Sequence, residues 1–181
     1  MWATGTPRSE QFACPATIDK VAEEIVEVLD EAGAVVGLAP RSQVRTNNLW
    51  HRTSYIIVWS SSGAVLVHRR ALTKQLWPDA WDLAFGGGCE VAEGWADAAA
   101  RELHEEAGIR TPLRELGTYR WDGDGSREIG RLYETVSDGP FQHPPDEVAE
   151  ARFVGRAELD AFLERHDVLA AARAVVLPYL R

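Results

Sequence analysis

Cysteine is scarce in this chain. Cys14 and Cys89 are too few for a disulfide framework, and neither lies in a zinc-binding spacing. No stretch approaches the roughly 18 apolar residues of a membrane-spanning helix, and the start lacks the apolar segment of about 7–15 residues of a secretory signal. Lys and Arg number 19 against 28 Asp and Glu, and a formal charge of −9 argues against a surface built throughout for nucleic acid or an anionic bilayer. We therefore expect a cytoplasmic protein whose partners are neither nucleic acids nor membranes.

The composition is that of an ordinary folded protein, with 45% hydrophobic and 26% charged residues. At about 100–200 residues per domain, a chain of 181 residues is expected to hold one domain. Residues 1–20 are polar and rich in turn-forming residues, which predicts a flexible N-terminal arm. Residues 21–181 are then a single domain.

Apolar and β-branched runs predict a sheet protein with one prominent helix. The pattern indicates a β-hairpin over 24–38 and strands over 54–59, 64–69, 116–121, 129–136 and 151–154. Helices are expected over 94–107, 156–165 and 168–177. Strands around one strong helix indicate a mixed α/β sandwich.

The helix predicted over 94–107 carries a cluster of carboxylates. With about 100° between successive residues, Glu102, Glu105 and Glu106 share an arc of about 100°. They lie at the edge of a predicted core-facing stripe, which consists of Ala96, Ala99, Ala100, Leu103 and Ala107.

Carboxylates this close repel one another and favour a bound cation. Like charges three or four residues apart destabilise an isolated helix by roughly a few tenths of a kcal/mol per pair. Hard oxygen ligands suit Mg²⁺ or Mn²⁺, and Mg²⁺ takes phosphate oxygens of a substrate as further ligands. Arg101 flanks the carboxylates and is placed for a bidentate pair with one of them. The alternative is a solvated helix face without a ligand.

The spacing of the carboxylates extends into a longer motif, Gly-x5-Glu-x7-Arg-Glu-Leu-x-Glu-Glu-x-Gly-Ile. Average residue usage makes such a match a chance event on the order of one in a billion per start position. The chain resembles the Nudix superfamily over about residues 24–180, and this motif is the full Nudix box. Its fixed positions are Gly87, Glu93, Arg101, Glu102, Leu103, Glu105, Glu106, Gly108 and Ile109.

The resemblance implies a Nudix-type α/β/α sandwich with a mixed sheet and a strand-loop-helix-loop catalytic motif. It implies Mg²⁺ or Mn²⁺ on Glu102, Glu105 and Glu106, with Arg101 orienting the glutamates and Gly87 near the substrate. The implied reaction is hydrolysis of a diphosphate linkage in a small molecule, such as a nucleoside diphosphate derivative, by attack of metal-activated water on phosphorus. A homodimer is expected for this class of fold.

The resemblance leaves the general base open. The base is a carboxylate of the box, where Glu105 and Glu106 are the catalytic candidates, or a later glutamate. The later candidates are Glu128, Glu134, Glu147 and Glu150.

The segment 69–81 is similar to the corresponding segment of the type I isopentenyl-diphosphate isomerases, which share the Nudix fold. In that family, the positions of Arg70 and Lys74 contact the substrate diphosphate. A guanidinium and an ammonium form charge-assisted hydrogen bonds with phosphate, so we expect both residues to bind substrate. Solvated surface cations are the alternative.

The catalytic residues of the isomerases do not carry over. The isomerase cysteine position is Gly86, two histidine positions are Gly88 and Val44, and one histidine position is retained as His51. Because the box keeps every carboxylate, we predict a hydrolase on an isomerase-like frame. An isomerase-like enzyme and a catalytically silent ligand-binding module are the competing interpretations.

The remaining candidates are aromatic and thiol side chains. Trp77, Trp81 or Trp121 would stack on a nucleobase if one lies beside the diphosphate, and core packing or a dimer contact is the alternative for each. Cys89 is expected to be a buried structural thiol.

Overall fold

The computed structural model describes residues 23–181, which form nine strands and four α-helices; the predicted arm over 1–20 lies outside these residues. The strands are β1 (Ile25–Leu29), β2 (Val35–Pro40), β3 (Trp50–Trp59), β4 (Val65–Arg70), β5 (Trp81–Asp82), β6 (Phe85–Gly88), β7 (Arg114–Gly123), β8 (Ser126–Val136) and β9 (Val148–Val154). The helices are α1 (Arg41–Thr46), α2 (Trp95–Ala107), α3 (Leu159–Arg165) and α4 (Leu177–Leu180). A 3₁₀ turn at Arg156–Glu158 precedes α3, and a π-helical turn at Ala172–Val176 precedes α4.

Strand β3 is the centre of the sheet. It pairs antiparallel with β1 and β6 and parallel with β8, from Trp50 opposite Arg127 to Trp59 opposite Val136. A parallel pair needs a crossover connection, and the segment that leads from β3 to β8 contains α2. Strand β4 pairs with β5 and β9, and β7 forms a hairpin with β8. The predicted mixed sheet is therefore confirmed.

Both faces of the sheet are covered. Ile56 and Val58 pack on one face with Leu103 of α2, while Ile57 packs on the other face with Leu163 and Val176 of the C-terminal helices. Successive side chains of a strand point to opposite faces, so the apolar run in β3 serves both layers. The result is the predicted α/β/α sandwich. Among the described residues, no helix combines the length and apolar character that crossing a bilayer requires.

The helical segments differ from the prediction in two places. Helix α1 was not predicted because six residues are too few to show a helical period; Val44 anchors it against Val26 and Ala39. The last helical segment begins at residue 170 rather than 168, because Val168 pairs with Trp81 as a parallel β-bridge.

We expect the contact between α2 and the sheet to dominate stability. Leu103 is buried, whereas Ala100 on the same helix is exposed. Leu103→Ala should lower the free energy of unfolding by about 2–5 kcal/mol because it leaves a cavity. Ala100→Ser should change it by no more than about 0.5 kcal/mol. Urea unfolding of both variants measures this difference, and equal losses would contradict the packing of α2.

Candidate active site

The surroundings of two glycines of β6 leave little room for a Cβ atom. Gly86 has a φ of +140°, and a Cβ atom there would lie 2.0 Å from the carbonyl oxygen of Ser54. A Cβ atom on Gly87 would lie between 2.7 and 2.9 Å from the carboxylate atoms of Glu102. Glycine therefore lets β6 pair closely with β3 and lets a carboxylate of α2 lie directly against the β6 backbone.

Helix α2 buries a carboxylate at its contact with β6. Glu106 is 7% exposed, and its Oε2 accepts a hydrogen bond of 3.1 Å from the Gly86 N–H. The predicted core stripe was wrong at Ala96 and Ala100, which are exposed, because the helix turns Glu106 inward instead. One of the predicted metal ligands is thus held at the base of the loop between β6 and α2.

The three box glutamates have different environments. Burial, followed by the negative charge of Glu102, raises the pKa of Glu106 to about 8. Burial also raises the pKa of Glu102, although Arg101 opposes it. The side chain of Glu105 is 56% exposed. The set therefore runs from a deeply buried carboxylate to one in contact with solvent.

Arg101 connects the box helix to the loop before it. Its Nε and Nη2 donate to Glu93 at 3.0 Å each, and Nη2 also donates to the Gly88 carbonyl oxygen at 3.0 Å. Its Nη1 donates to Glu102 at 2.9 Å and to Glu105 at 3.2 Å. The bond with Glu93 raises the pKa of Arg101 and lowers the pKa of Glu93. The bidentate partner is therefore Glu93, and the carboxylates of the helix each receive a single bond.

The donor chemistry of this cluster fits a hard divalent cation. All three side chains offer carboxylate oxygens, and the Glu106 carboxylate receives one hydrogen bond within residues 23–181 while lying close to the charge of Glu102. In the same residues, no three His, Cys, Asp or Glu side chains are gathered as a ready ligand set. The Nη1 of Arg101 instead bonds both Glu102 and Glu105.

A pocket of about 640 Å³ is lined by this acidic cluster and by basic side chains. Glu102, Glu105 and Glu106 all line it. Besides Arg101, four cationic side chains line it, which are Arg41, Arg45, Arg70 and Lys74. A multiply charged phosphate bound with divalent cations needs both kinds of charge at once.

Two of these arginines, Arg41 and Arg45, were missed by the sequence analysis. They lie four residues apart on α1, a spacing that puts both side chains on one helix face. Arg41 pairs with Glu24 at 2.6 Å, and Arg45 donates to Gln75 at 2.7 Å. Burial and the neighbouring charge of Arg41 lower the pKa of Arg45. The Arg-x-x-x-Arg spacing in the sequence could have indicated this shared face. That spacing is informative only within a helix, and the sequence did not indicate a helix here.

The two cations that the sequence did indicate both reach the pocket. Arg70 donates from Nε and Nη2 to the Leu76 carbonyl oxygen, at 3.3 and 3.1 Å. Lys74 forms an ion pair with Glu147, which also lines the pocket. Both side chains are thus held by neighbours at the edge of the pocket.

A model of the NUDIX domain matches residues 49–177. An uncharacterized Nudix hydrolase of Pseudomonas aeruginosa, PA4841, is 41% identical over 137 residues, which are 75% of this chain and 80% of that protein. The chain belongs to the Nudix family. The predicted family is confirmed, and the chain is a Nudix hydrolase, a kind of enzyme that generally uses divalent metal ions.

Solved structures show the same fold. The crystal structure of DR0079 from Deinococcus radiodurans has a TM-score of 0.76 at 22% identity, covering 87% of this chain and 100% of that one. The NUDIX domain of Shewanella oneidensis NrtR, complexed with ADP ribose, has a TM-score of 0.59 at 13% identity, covering 78% and 97%. The predicted α/β Nudix architecture is therefore confirmed.

Of the later glutamates predicted as alternative bases in this Nudix hydrolase, Glu147 lines the large pocket. The other three have partners elsewhere: Glu128 accepts hydrogen bonds from Tyr55 and Ser126, Glu134 accepts one from Trp59, and Glu150 pairs with Arg69. The position of Glu147 beside Lys74 brings it close to Glu106 as well, whose pKa it raises.

The four positions compared with the isomerase cysteine and histidines lie in β6, in α1 and in β3. Gly86 and Gly88 lie in β6, and Val44 is buried in a hydrophobic cluster where it offers no ligand. The Nδ1 of His51 lies 3.2 Å from the Leu49 carbonyl oxygen, and burial lowers the pKa of this histidine. Of these four positions, His51 alone carries a side chain that offers a metal ligand.

Trp81, Trp121 and Cys89 are buried or partly buried, and Trp77 lines a pocket. Trp81 is buried in the core against Phe162, and Trp121 packs partly buried against the same cluster. Trp77 also contacts this core but lines a second, smaller pocket. Cys89 is a buried free thiol, and burial raises its pKa.

The two glycines of β6, Gly86 and Gly87, should respond differently to substitution by alanine. Gly86→Ala places a Cβ atom against the fixed backbone of β3 at a φ that strains alanine, so we expect a loss of more than about 3 kcal/mol in the free energy of unfolding. Gly87→Ala meets the end of the flexible Glu102 side chain, so we expect a change within about 1 kcal/mol. Denaturant unfolding compares them, and a Gly87→Ala variant that is as unstable as Gly86→Ala would contradict this geometry.

Proposed function

We propose that this Nudix hydrolase, a single domain over residues 21–181, cleaves a diphosphate linkage in a small molecule such as a nucleoside diphosphate derivative. The pocket that is lined by the box carboxylates and by arginine and lysine side chains carries this proposal. A diphosphate bound in this pocket would contact cationic side chains of the protein as well as metal ions held by the carboxylates. The ADP ribose bound to the NrtR domain, itself a nucleoside diphosphate derivative, supports the substrate class.

In the proposed site, Glu102, Glu105 and Glu106 would hold Mg²⁺ or Mn²⁺, which when bound would lower the pKa of a coordinated water and offset charge on the leaving phosphate. Arg101 positions Glu102 and Glu105 through its Nη1 bonds, while the Gly86 N–H positions Glu106.

Other residues bind the substrate and take up the proton. Arg70 and Lys74 bind diphosphate oxygens, and the backbone at Gly87 leaves room for the substrate beside Glu102. The proton of the attacking water passes to a carboxylate that faces the pocket, for which Glu105 and Glu147 are the two candidates.

A ligand-binding module without turnover is the second candidate. The bonds from Arg101 to both Glu102 and Glu105 favour it, since they occupy oxygens that a metal ion would need. We also propose a cytoplasmic homodimer that does not bind nucleic acid. The edge strand β2 supports a dimer because it exposes Val35, Val36 and Leu38.

Glu106→Gln should abolish most of the activity while the fold survives. The amide keeps the acceptor for the Gly86 N–H but cannot carry the negative charge that a bound cation needs, so kcat should fall about 100-fold or more and thermal stability should not fall. The assay is phosphate release with Mg²⁺ or Mn²⁺ and an added phosphatase. The substrates are nucleoside di- and triphosphates, nucleotide sugars, dinucleotides, coenzyme A and prenyl diphosphates.

The matched control is Glu164→Gln, an exposed glutamate on α3 that should leave the rate unchanged. A near-normal rate in Glu106→Gln would refute the metal assignment. Binding of nucleotide without turnover in the unsubstituted protein, with Mg²⁺ or Mn²⁺ present, would favour the ligand-binding module, and formation of an isomeric prenyl diphosphate would favour the isomerase.

Lys74→Gln should act on binding rather than on the chemical step. The substitution removes a charge-assisted bond to phosphate worth about 1.5–3 kcal/mol, so KM should rise about tenfold or more with a smaller change in kcat. Steady-state kinetics on the best substrate of the panel measures both constants. An unchanged KM would show that Lys74 serves only as the partner of Glu147.

A further inference from the structure

The segment 137–147, which connects β8 with β9, crosses the C-terminal end of helix α2. The last carbonyl groups of a helix have no partners inside the helix and need donors from elsewhere. This segment supplies two donors. The N–H of Gln142 donates to the Ala107 carbonyl oxygen at 3.0 Å, and Nδ1 of His143 donates to the Glu106 carbonyl oxygen at 2.7 Å. The end of the box helix is thus bonded to the segment.

The ring of His143 lies between two phenylalanine rings. Its centroid is 6.0 Å from that of Phe85 in β6 and 6.1 Å from that of Phe141, with angles of 6° and 17° between the ring planes. Because a carbonyl oxygen only accepts, Nδ1 carries a proton. The next two residues, Pro144 and Pro145, have no N–H group, so the backbone there offers no donor to α2. His143 therefore joins the segment to both α2 and β6.

The other end of the segment is bonded to the loop that follows β4. The carbonyl oxygen of Glu147 accepts the Ala71 N–H at 3.0 Å, and the carbonyl oxygen of Asp146 accepts the Thr73 hydroxyl group at 3.0 Å. The carboxylate of Glu147 pairs with Lys74. The segment therefore connects the helix that carries the box glutamates with a loop that carries a candidate phosphate-binding cation.

Two carboxylates of the large pocket depend on this connection. Glu106 lies on α2, and Glu147 lies on the segment four residues after His143. Both glutamates line the pocket, whereas His143 does not line it. The negative charge of Glu147 contributes to the raised pKa of Glu106, which is consistent with their proximity. The way in which the segment lies on α2 thus determines how the two carboxylates face each other.

We propose that His143 is a positioning residue of the hydrolase, which fixes Glu147 relative to Glu106 by bonding the segment to the end of α2. This inference rests on the proposed function, in which Glu106 is a metal ligand and Glu147 is a candidate base. Loss of the bond moves Glu147 and slows the chemical step. The bonds from the loop after β4 to the other end of the segment remain, so substrate binding changes little.

Two substitutions separate the hydrogen bond of His143 from its ring. His143→Phe keeps a ring between Phe85 and Phe141 but removes the donor, and His143→Asn removes the ring but places an amide N–H near the position of Nδ1. In His143→Phe, kcat on the best substrate of the panel should fall about 10- to 100-fold, because a small displacement of a catalytic group has such an effect. KM should change by less than about threefold, and His143→Asn should recover most of kcat.

A double-substitution cycle tests whether His143 acts through Glu147. If it does, adding His143→Phe to Glu147→Gln should lower kcat by no more than about twofold beyond Glu147→Gln alone. A full additional loss would contradict the proposal. An unchanged kcat in His143→Phe would also contradict it, as would an asparagine variant that is as slow as the phenylalanine variant.

The matched control is His166, a half-buried histidine against Phe162 in the core on the other face of the sheet. His166→Phe makes the same chemical change away from the large pocket and should leave both kcat and KM unchanged. If His143→Phe does not fold in a thermal unfolding control, His143→Leu takes its place with the same expected loss of kcat, because leucine also lacks the donor.

Hydrogen exchange tests the bond without any substrate. The Gln142 N–H, which is bonded to the Ala107 carbonyl oxygen, should exchange about tenfold faster in His143→Phe than in the unsubstituted protein, and at an unchanged rate in His166→Phe. Equal exchange rates in all three proteins would overturn the proposal. Faster exchange in a protein that hydrolyses no diphosphate of the panel would instead refute the proposed function and leave His143 as the residue that holds the segment on α2.

Discussion

The close approach of helix α2 to the backbone of β6 is the constraint on which the site depends. Glycine at 86 and 87 removes the Cβ atoms that would block it, the Gly86 N–H holds Glu106, and Arg101 ties α2 to the Gly88 carbonyl oxygen and to Glu93. Carboxylates can be buried here only because backbone and guanidinium donors compensate part of their desolvation. The Nudix box is thus part of the packing between α2 and β6 as well as a set of candidate metal ligands.

The large pocket gathers basic side chains that the net charge of the chain does not reveal. A protein with a formal charge of −9 brings Arg41, Arg45, Arg70 and Lys74 to one pocket, which the box glutamates line as well. These basic residues come from α1, from β4 and from the loop that follows it, so they meet only after the sheet has formed. Net charge therefore says little about a site in which basic and acidic side chains are mixed.

The sequence predicted what depends on local spacing and missed what depends on distant segments. The box was found because its fixed positions are close in the chain; the strand pattern indicated an α/β sandwich, and the resemblance that the box carries implied the mixed sheet. Helix α1 and its arginines were missed because six residues carry no helical period. The helical wheel misplaced Ala96 and Ala100 because it put Glu106 only at the edge of the buried stripe, whereas Glu106 is buried and accepts a hydrogen bond from the Gly86 N–H.

Gly86 and Gly88 stand at positions where the isomerases carry a cysteine and a histidine. Gly86 leaves no room for any side chain, because a Cβ atom there would lie 2.0 Å from the carbonyl oxygen of Ser54. A cysteine at position 86 would therefore require a different path of the β6 backbone. The same backbone holds Glu106 through the Gly86 N–H. The close packing of β6 on β3 thus excludes the isomerase nucleophile and places a carboxylate of the box, so both properties follow from one glycine.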